Sequence, residues 1–205
     1  MPAFASAQVL APAPAPVAPA PATGPGFGDT DAFAFTVEEI LGFQNQEFGE
    51  EDEPLNLDDR GMQPTFRGDL GFHSIDASGL TLGGAIGLEV IFLDSPGSGD
   101  DDGSLTIIRI RPRIGYAGSK SPYLGFWIRG GPSIFHIGAD FGEGSTQNTN
   151  TLAASFEVYG VITPFPSLAI LLGPNADFNL WGKTEHDRDA AVSTVGASIG
   201  IAVIP

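Results

Sequence analysis

The 205-residue sequence contains no cysteine. No disulfide can stabilise it, so it must rely on a packed core, on closure of a sheet, or on a surrounding solvent such as lipid. Basic residues are scarce: 9 Lys and Arg stand against 25 Asp and Glu, for a formal net charge of -16. That balance speaks against a nucleic-acid partner, because phosphate binding needs a basic footprint. Long hydrophobic runs are missing too. No stretch reaches the roughly 18 apolar residues of a membrane-crossing helix. A membrane-crossing barrel stays open, because its segments are short and alternate in polarity.

Glycine, in contrast, is abundant, with 28 residues. It weakens helices, but it fits where side chains must stay small on one face of a sheet. The first 30 residues read as a Pro/Ala-rich disordered tail. Ala11-Pro12-Ala13-Pro14-Ala15-Pro16 continues to Gly24-Pro25-Gly26, a pattern that favours extended polyproline II. Ala5-Ser6-Ala7 resembles the end of a signal peptide, with Gln8 as the first mature residue. An Ala-rich tail also produces such triplets by composition alone.

From Asp31 to Pro205 the pattern has period two, the mark of half-buried strands. It predicts strands near Phe33–Phe43, Thr65–Ile75, Leu80–Leu93, Leu105–Ala117, Tyr123–Ile137, Thr151–Thr163, Leu168–Leu180 and Val192–Ile204. Most reach the roughly 9–11 residues that a tilted strand needs to cross a bilayer. The connections alternate long and short. Asp76–Gly79, Gly118–Pro122 and Pro164–Ser167 are short, whereas Gln44–Pro64, Asp94–Ser104, Gly138–Asn150 and Trp181–Ala191 are longer. Outer-membrane barrels sort their periplasmic turns and outer loops in this way. The fold class expected is therefore all-β: an antiparallel up-and-down transmembrane β-barrel of about eight strands.

The less apolar face decides between lipid and water outside. In Leu80–Leu93, Leu82, Ile86, Leu88, Val90 and Phe92 alternate with Thr81, Gly83, Ala85, Gly87 and Glu89. In Leu105–Ala117, Ile108, Ile110 and Ile114 alternate with Arg109, Arg111 and Arg113. Small residues with a few opposed charges suit the narrow interior of an eight-strand barrel, and the apolar face would then meet lipid. Tyr116, Tyr123, Phe126, Phe165 and Trp181 fall near predicted strand ends, as interfacial aromatics do.

Leu124-Gly125-Phe126-Trp127-Ile128-Arg129-Gly130-Gly131, Thr163-Pro164-Phe165-Pro166, Leu172-Gly173-Pro174 and the Gly-alternating strand Val195–Ile204 resemble the OmpA/OmpX-like and porin-family barrels of Gram-negative bacteria. The likeness runs from Phe33 to Pro205. It implies insertion into the bacterial outer membrane with help from the barrel-assembly machinery. Pro205 departs from the aromatic terminal residue usual in such barrels.

Three arginines at alternate positions would each cost roughly 2–4 kcal/mol on a lipid face, so they must face the lumen. The expected lumen charge network is Arg67, Asp69, Glu89, Arg109, Arg111, Arg113, Arg129 and Glu157. A register matching Asp76 with Leu80, and Asp94 with Ser104, sets Arg67 and Arg109 opposite Glu89. Asp100, Asp101 and Asp102 are weak candidates for a Ca²⁺ site, since Asp100-Asp101-Asp102-Gly103 lacks the alternating ligands and distal Glu of an EF-hand loop. No cofactor motif occurs. Nor does catalysis find a constellation. His73 and Ser74 are adjacent and point to opposite faces, and Ser133 and His136 differ in parity. The sequence therefore reads as a monomeric, non-enzymatic outer-membrane barrel with a structural or surface-interaction role and acidic outer loops. The alternatives are a small ion or solute pore, and a soluble secreted β-barrel that binds an apolar ligand.

Overall fold

In the computed structural model, eight long strands close into a ring. The structure describes residues 25–50, 54–55, 63–65, 68–93, 103–140, 146–184 and 190–205. The strands are β1 (Ala32–Glu50), β2 (Gly68–Ile75), β3 (Leu80–Leu93), β4 (Gly103–Ser121), β5 (Leu124–Asp140), β6 (Thr146–Phe165), β7 (Leu168–Thr184) and β8 (Ala190–Val203). Each pairs antiparallel with the next, and β8 returns to pair with β1. Two short segments, Pro54–Leu55 and Gln63–Thr65, also pair with β1. Among the described residues the ring leaves no long unpaired edge, which removes the usual route to edge-to-edge association.

The strand count and order match the period-two reading. The long strands extend past the expected bounds mostly at the end away from the short turns. Those turns are tight. In Asp76–Gly79, the Asp76 carboxylate accepts hydrogen bonds from Ser78 Oγ at 2.6 Å and from the amides of Ser78 and Leu80 at 2.9 Å. These bonds, the Ser78 hydroxyl foremost, hold its carboxyl below the usual range. Their contribution to the turn is present above the unfolded-state value and is lost as pH falls through the lowered one. Gly79 sits at φ +87°, where a side chain would be strained, and its carbonyl accepts from Ala117 N at 2.7 Å.

The two faces of the sheet divide as the alternation requires. Leu82, Ile86, Leu88, Ile110, Ile114, Phe156, Leu172 and Ile201 are exposed on the outer face, while Arg109, Arg111, Arg129 and Glu157 are buried inside. Along β5 the outward residues are apolar from Leu124 to Ile134, and His136 and Asp140 follow. At about 3.3 Å per residue and a tilt near 40°, this belt is about 25 Å tall, the height of the apolar band of outer-membrane barrels. Tyr116, Tyr123, Phe126 and Phe165 are exposed at its short-turn edge and Trp181 toward the other.

Residues 25–30 fall within the tail drawn from composition, yet they are docked against the barrel, because Phe27 is apolar and finds a buried seat there. The Ala-Pro run and Ala5-Ser6-Ala7 lie outside the described residues.

Candidate functional site

Three layers of side chains fill the lumen. Toward the short turns lies an apolar layer of Ala34, Ile75, Ala117, Trp127, Tyr159, Val161, Leu171 and Ala202, closed by Phe27. Toward the long loops lies a second apolar layer of Leu105, Ile107, Phe135, Ile137, Ala139, Ala153 and Val192. Between them sits a layer of charge.

Four guanidiniums organise that layer. Arg109 donates to Glu89 at 2.6 Å and to Asp69 at 2.7 Å. Arg111 donates to both oxygens of Glu39, at 2.9 and 3.3 Å, and its Nη1 lies 3.2 Å from Asp69. Arg113 donates to Glu157 at 3.0 and 3.2 Å and to Ser133 Oγ at 3.1 Å. Arg129 grips Glu38 with two bonds, of 2.8 and 2.5 Å, and also donates to Glu157. Behind Arg129 stand the rings of Trp127 and Tyr159, 4.5 and 5.0 Å from the guanidinium carbon. Asp177 accepts from Thr194 Oγ1 at 2.7 Å and from Ser155. Charge-assisted bonds of this kind are the strong ones, and in a buried layer an unmatched member is costly.

Arg113 has a second task. Pro112 and Pro132 face each other across β4 and β5, and proline has no N–H to give to the ladder. Arg113 Nη1 donates to both of their carbonyls at 3.1 Å. One side chain thus replaces the missing backbone donors in the middle of the sheet.

Of the residues expected in the lumen, Asp69, Glu89, Arg109, Arg111, Arg113, Arg129 and Glu157 are all buried there. Arg67 and the Asp100–Asp102 run lie outside the described residues. The β3–β4 register differs from expectation by two residues. Arg109 pairs with Gly87, and Glu89 pairs with Ile107. The match of Asp94 with Ser104 fails because a loop of that length does not fix its own register. Arg109 still reaches Glu89, now diagonally, and it also passes over Gly87 to Asp69, since Asp69, Gly87 and Arg109 form one row. A Cβ added at Gly87 would strike the Asp69 carboxylate, whereas one at Gly68 meets nothing within 4 Å. Gly87→Ala is therefore expected to lower the unfolding midpoint in detergent clearly, and Gly68→Ala to leave it near wild type.

Several members of the layer escape a strict reading of the sequence. Glu38 and Glu39 are adjacent, yet both are buried. A bulge between Val37 and Leu41 in the pairing with β8, with Glu39 at φ 55°, turns both inward. The register moves by two residues there, so Ile40 faces out as well as Phe33, Phe35 and Val37, and the odd parity resumes when Leu41 pairs with Ile199. Asn175, whose Nδ2 donates to Glu39 at 3.0 Å, and Asp177 follow from simple alternation along β7. His73 lies inside against Glu38 at 3.2 Å, while Ser74 faces away and bonds to the Leu82 carbonyl. Ser133 is buried and His136 is exposed, so neither serine–histidine pair is brought together. Among the described residues, no group of three or more His, Cys, Asp or Glu could hold a metal ion.

No protein-family model matches the chain, and no curated protein does. Solved structures do. Neisserial surface protein A (NspA) superposes with a TM-score of 0.55 at 12% identity, over 87% of this chain and 98% of that one. A major outer membrane protein from Thermus thermophilus superposes with a TM-score of 0.51 at 12% identity, over 85% of this chain and 99% of that one. The fold is that of a small outer-membrane β-barrel. At such low identity the likeness concerns architecture alone, and the layered lumen has to be understood from this chain's own residues.

Proposed function

We propose that this chain resides in the outer membrane of a Gram-negative bacterium as a monomeric, filled barrel that makes its contacts through its outer loops. The observation that carries this reading is the stacking of the lumen. Among the described residues a charged layer lies between two apolar layers, which disfavours an open path for ions or solutes. Six buried carboxylates (Glu38, Glu39, Asp69, Glu89, Glu157, Asp177) surround four guanidiniums. Each arginine has an acidic partner, which disfavours an anion-selective lining. The apolar exterior supports lipid as the solvent over a soluble barrel, whose apolar face would be internal. The ionic layer then acts as a structural plug, and the function is non-enzymatic. Outer-membrane lipid and the barrel-assembly machinery are the partners of this reading.

Conduction tests it. In a planar bilayer the purified protein is expected to give no steady open-channel current. A reproducible open conductance that Arg111→Met alters would support the pore instead.

A further inference from the structure

Toward the long loops, the outward face of the sheet changes from apolar to polar between two neighbouring register rows. The last apolar row is Ile134 on β5, Leu152 on β6 and Trp181 on β7, paired in that order. The next row is His136, Asn150 and Lys183, paired in the same order. His136 and Asn150 are exposed, and Lys183 is half-buried between the buried Gly182 and Thr184. The second row therefore stands at the height of lipid headgroups, with an indole at the boundary below it, where tryptophan is usual.

The row is a set of donors. His136 Nδ1 donates to Asn150 Oδ1 at 2.9 Å. That bond holds the ring beside the amide and leaves the Asn150 NH2 group as a donor, and Lys183 adds an ammonium on the other side. Strands lie about 4.8 Å apart, so His136 and Lys183 are about 10 Å apart at the backbone. Side chains of their length can meet on one group lying over Asn150. Carboxylates are kept away. The chain has 25 Asp and Glu, yet the described residues of β4 to β7 include only Asp140, Glu157 and Asp177. Glu157 and Asp177 are buried in the lumen. Asp140 faces out, but four residues beyond His136, about 13 Å further along the strand toward the loops.

We infer that His136, Asn150 and Lys183 form a site for the phosphate of an outer-leaflet lipid and hold one headgroup against β5–β7. The inference rests on the placement of the apolar belt in lipid and of the long loops outside. Height selects the occupant: a side chain on the outward wall just past the belt meets a headgroup, and the donors select its phosphate. Lysine suits the place, because its stem covers apolar surface while its ammonium reaches the polar layer.

The test uses the full chain with Trp127→Phe, so that Trp181 alone fluoresces beside the site. The protein is folded into phosphatidylcholine vesicles in which a minor fraction of the lipid carries brominated acyl chains. That fraction is either phosphatidylcholine or phosphatidic acid, whose headgroup is a phosphate monoester. Brominated phosphatidylcholine is expected to quench Trp181 in proportion to its share. Brominated phosphatidic acid is expected to quench as though enriched about fivefold there, the preference that one basic residue gives near an anionic lipid. Lys183→Met brings the enrichment close to one, His136→Leu lowers it partway, and Lys183→Arg keeps it. Equal quenching by the two brominated lipids in the parent would overturn the site. So would an enrichment that survives Lys183→Met and His136→Leu combined. No quenching by either lipid would instead remove the lipid contact on which the site rests.

Discussion

Arg129→Met is expected to lower the stability of the detergent-folded barrel by about 3–5 kcal/mol, the usual result of removing one partner from a buried ionic group. Methionine keeps much of the length and apolar bulk, so the loss is of charge and hydrogen bonds. Glu38 loses two bonds from the Arg129 guanidinium and is left with Thr36 and His73 as partners. Glu157 keeps Arg113 and loses Arg129. Arg129→Lys is expected to recover little. A single ammonium cannot bond to Glu38 and Glu157 together while lying between the Trp127 and Tyr159 rings. Against a total stability of roughly 5–15 kcal/mol for a single domain, the effect is large. Lys120→Met, at an exposed position near a turn, serves as the control and should stay within about 0.5 kcal/mol of wild type. Urea unfolding followed by Trp fluorescence measures all three. A wild-type midpoint for Arg129→Met would show that the lumen is wet enough to solvate its carboxylates.

The second large effect sits at the bulge, where two terms oppose each other. Glu39 is a non-glycine residue at φ 55°, a conformation that costs roughly 1–2 kcal/mol for an L-residue. Its carboxylate is also the bidentate partner of Arg111 and accepts from Asn175. Glu39→Gln keeps the backbone cost and loses the charge. Glu39→Gly removes both. Loss of the carboxylate, at about 3–5 kcal/mol, outweighs relief of the backbone. Both variants are therefore expected to be less stable than wild type, with Glu39→Gly less damaged than Glu39→Gln by about 1 kcal/mol if its smaller side chain leaves no void. A Glu39→Gly variant as stable as wild type would mean that Arg111 finds enough charge in Asp69 and Asp177 without Glu39. Unfolding midpoints of the two variants, measured side by side, decide this.

Much of the architecture was legible because a barrel strand has a short-range rule. Period two, read along Leu80–Leu93 or Leu105–Ala117, gives both the strand and its two faces. The short turns give the topology, and parity alone places Arg109, Arg111 and Arg113 together inside. What the rule does not carry is anything that depends on pairing across a long loop. The β3–β4 register is an instance: Arg109 sits opposite Gly87 instead of Glu89. A bulge is the other blind spot. A strict alternation sends one of Glu38 and Glu39 into lipid, and only the outward face of Ile40 betrays the two extra residues. The layering of the lumen was also hidden. Leu105, Ile107 and Phe135 look like any strand residues until the ring closes and sets them above the charges. Phe27 merges with the tail for a similar reason, since one aromatic residue in a Gly- and Pro-rich stretch has no periodicity to mark it.

With lipid outside the barrel and a filled lumen within, the two native tryptophans report on these two environments. Trp181 is 53% exposed on the outer face, and Trp127 is fully buried inside. Trp127→Phe and Trp181→Phe leave one tryptophan each, and both proteins are to be folded into bilayers whose acyl chains carry bromine, a contact quencher. Strong quenching of Trp181 with little quenching of Trp127 is the expected result. Bright fluorescence from both, or quenching of Trp127 as strong as that of Trp181, would contradict the placement of the apolar face against lipid.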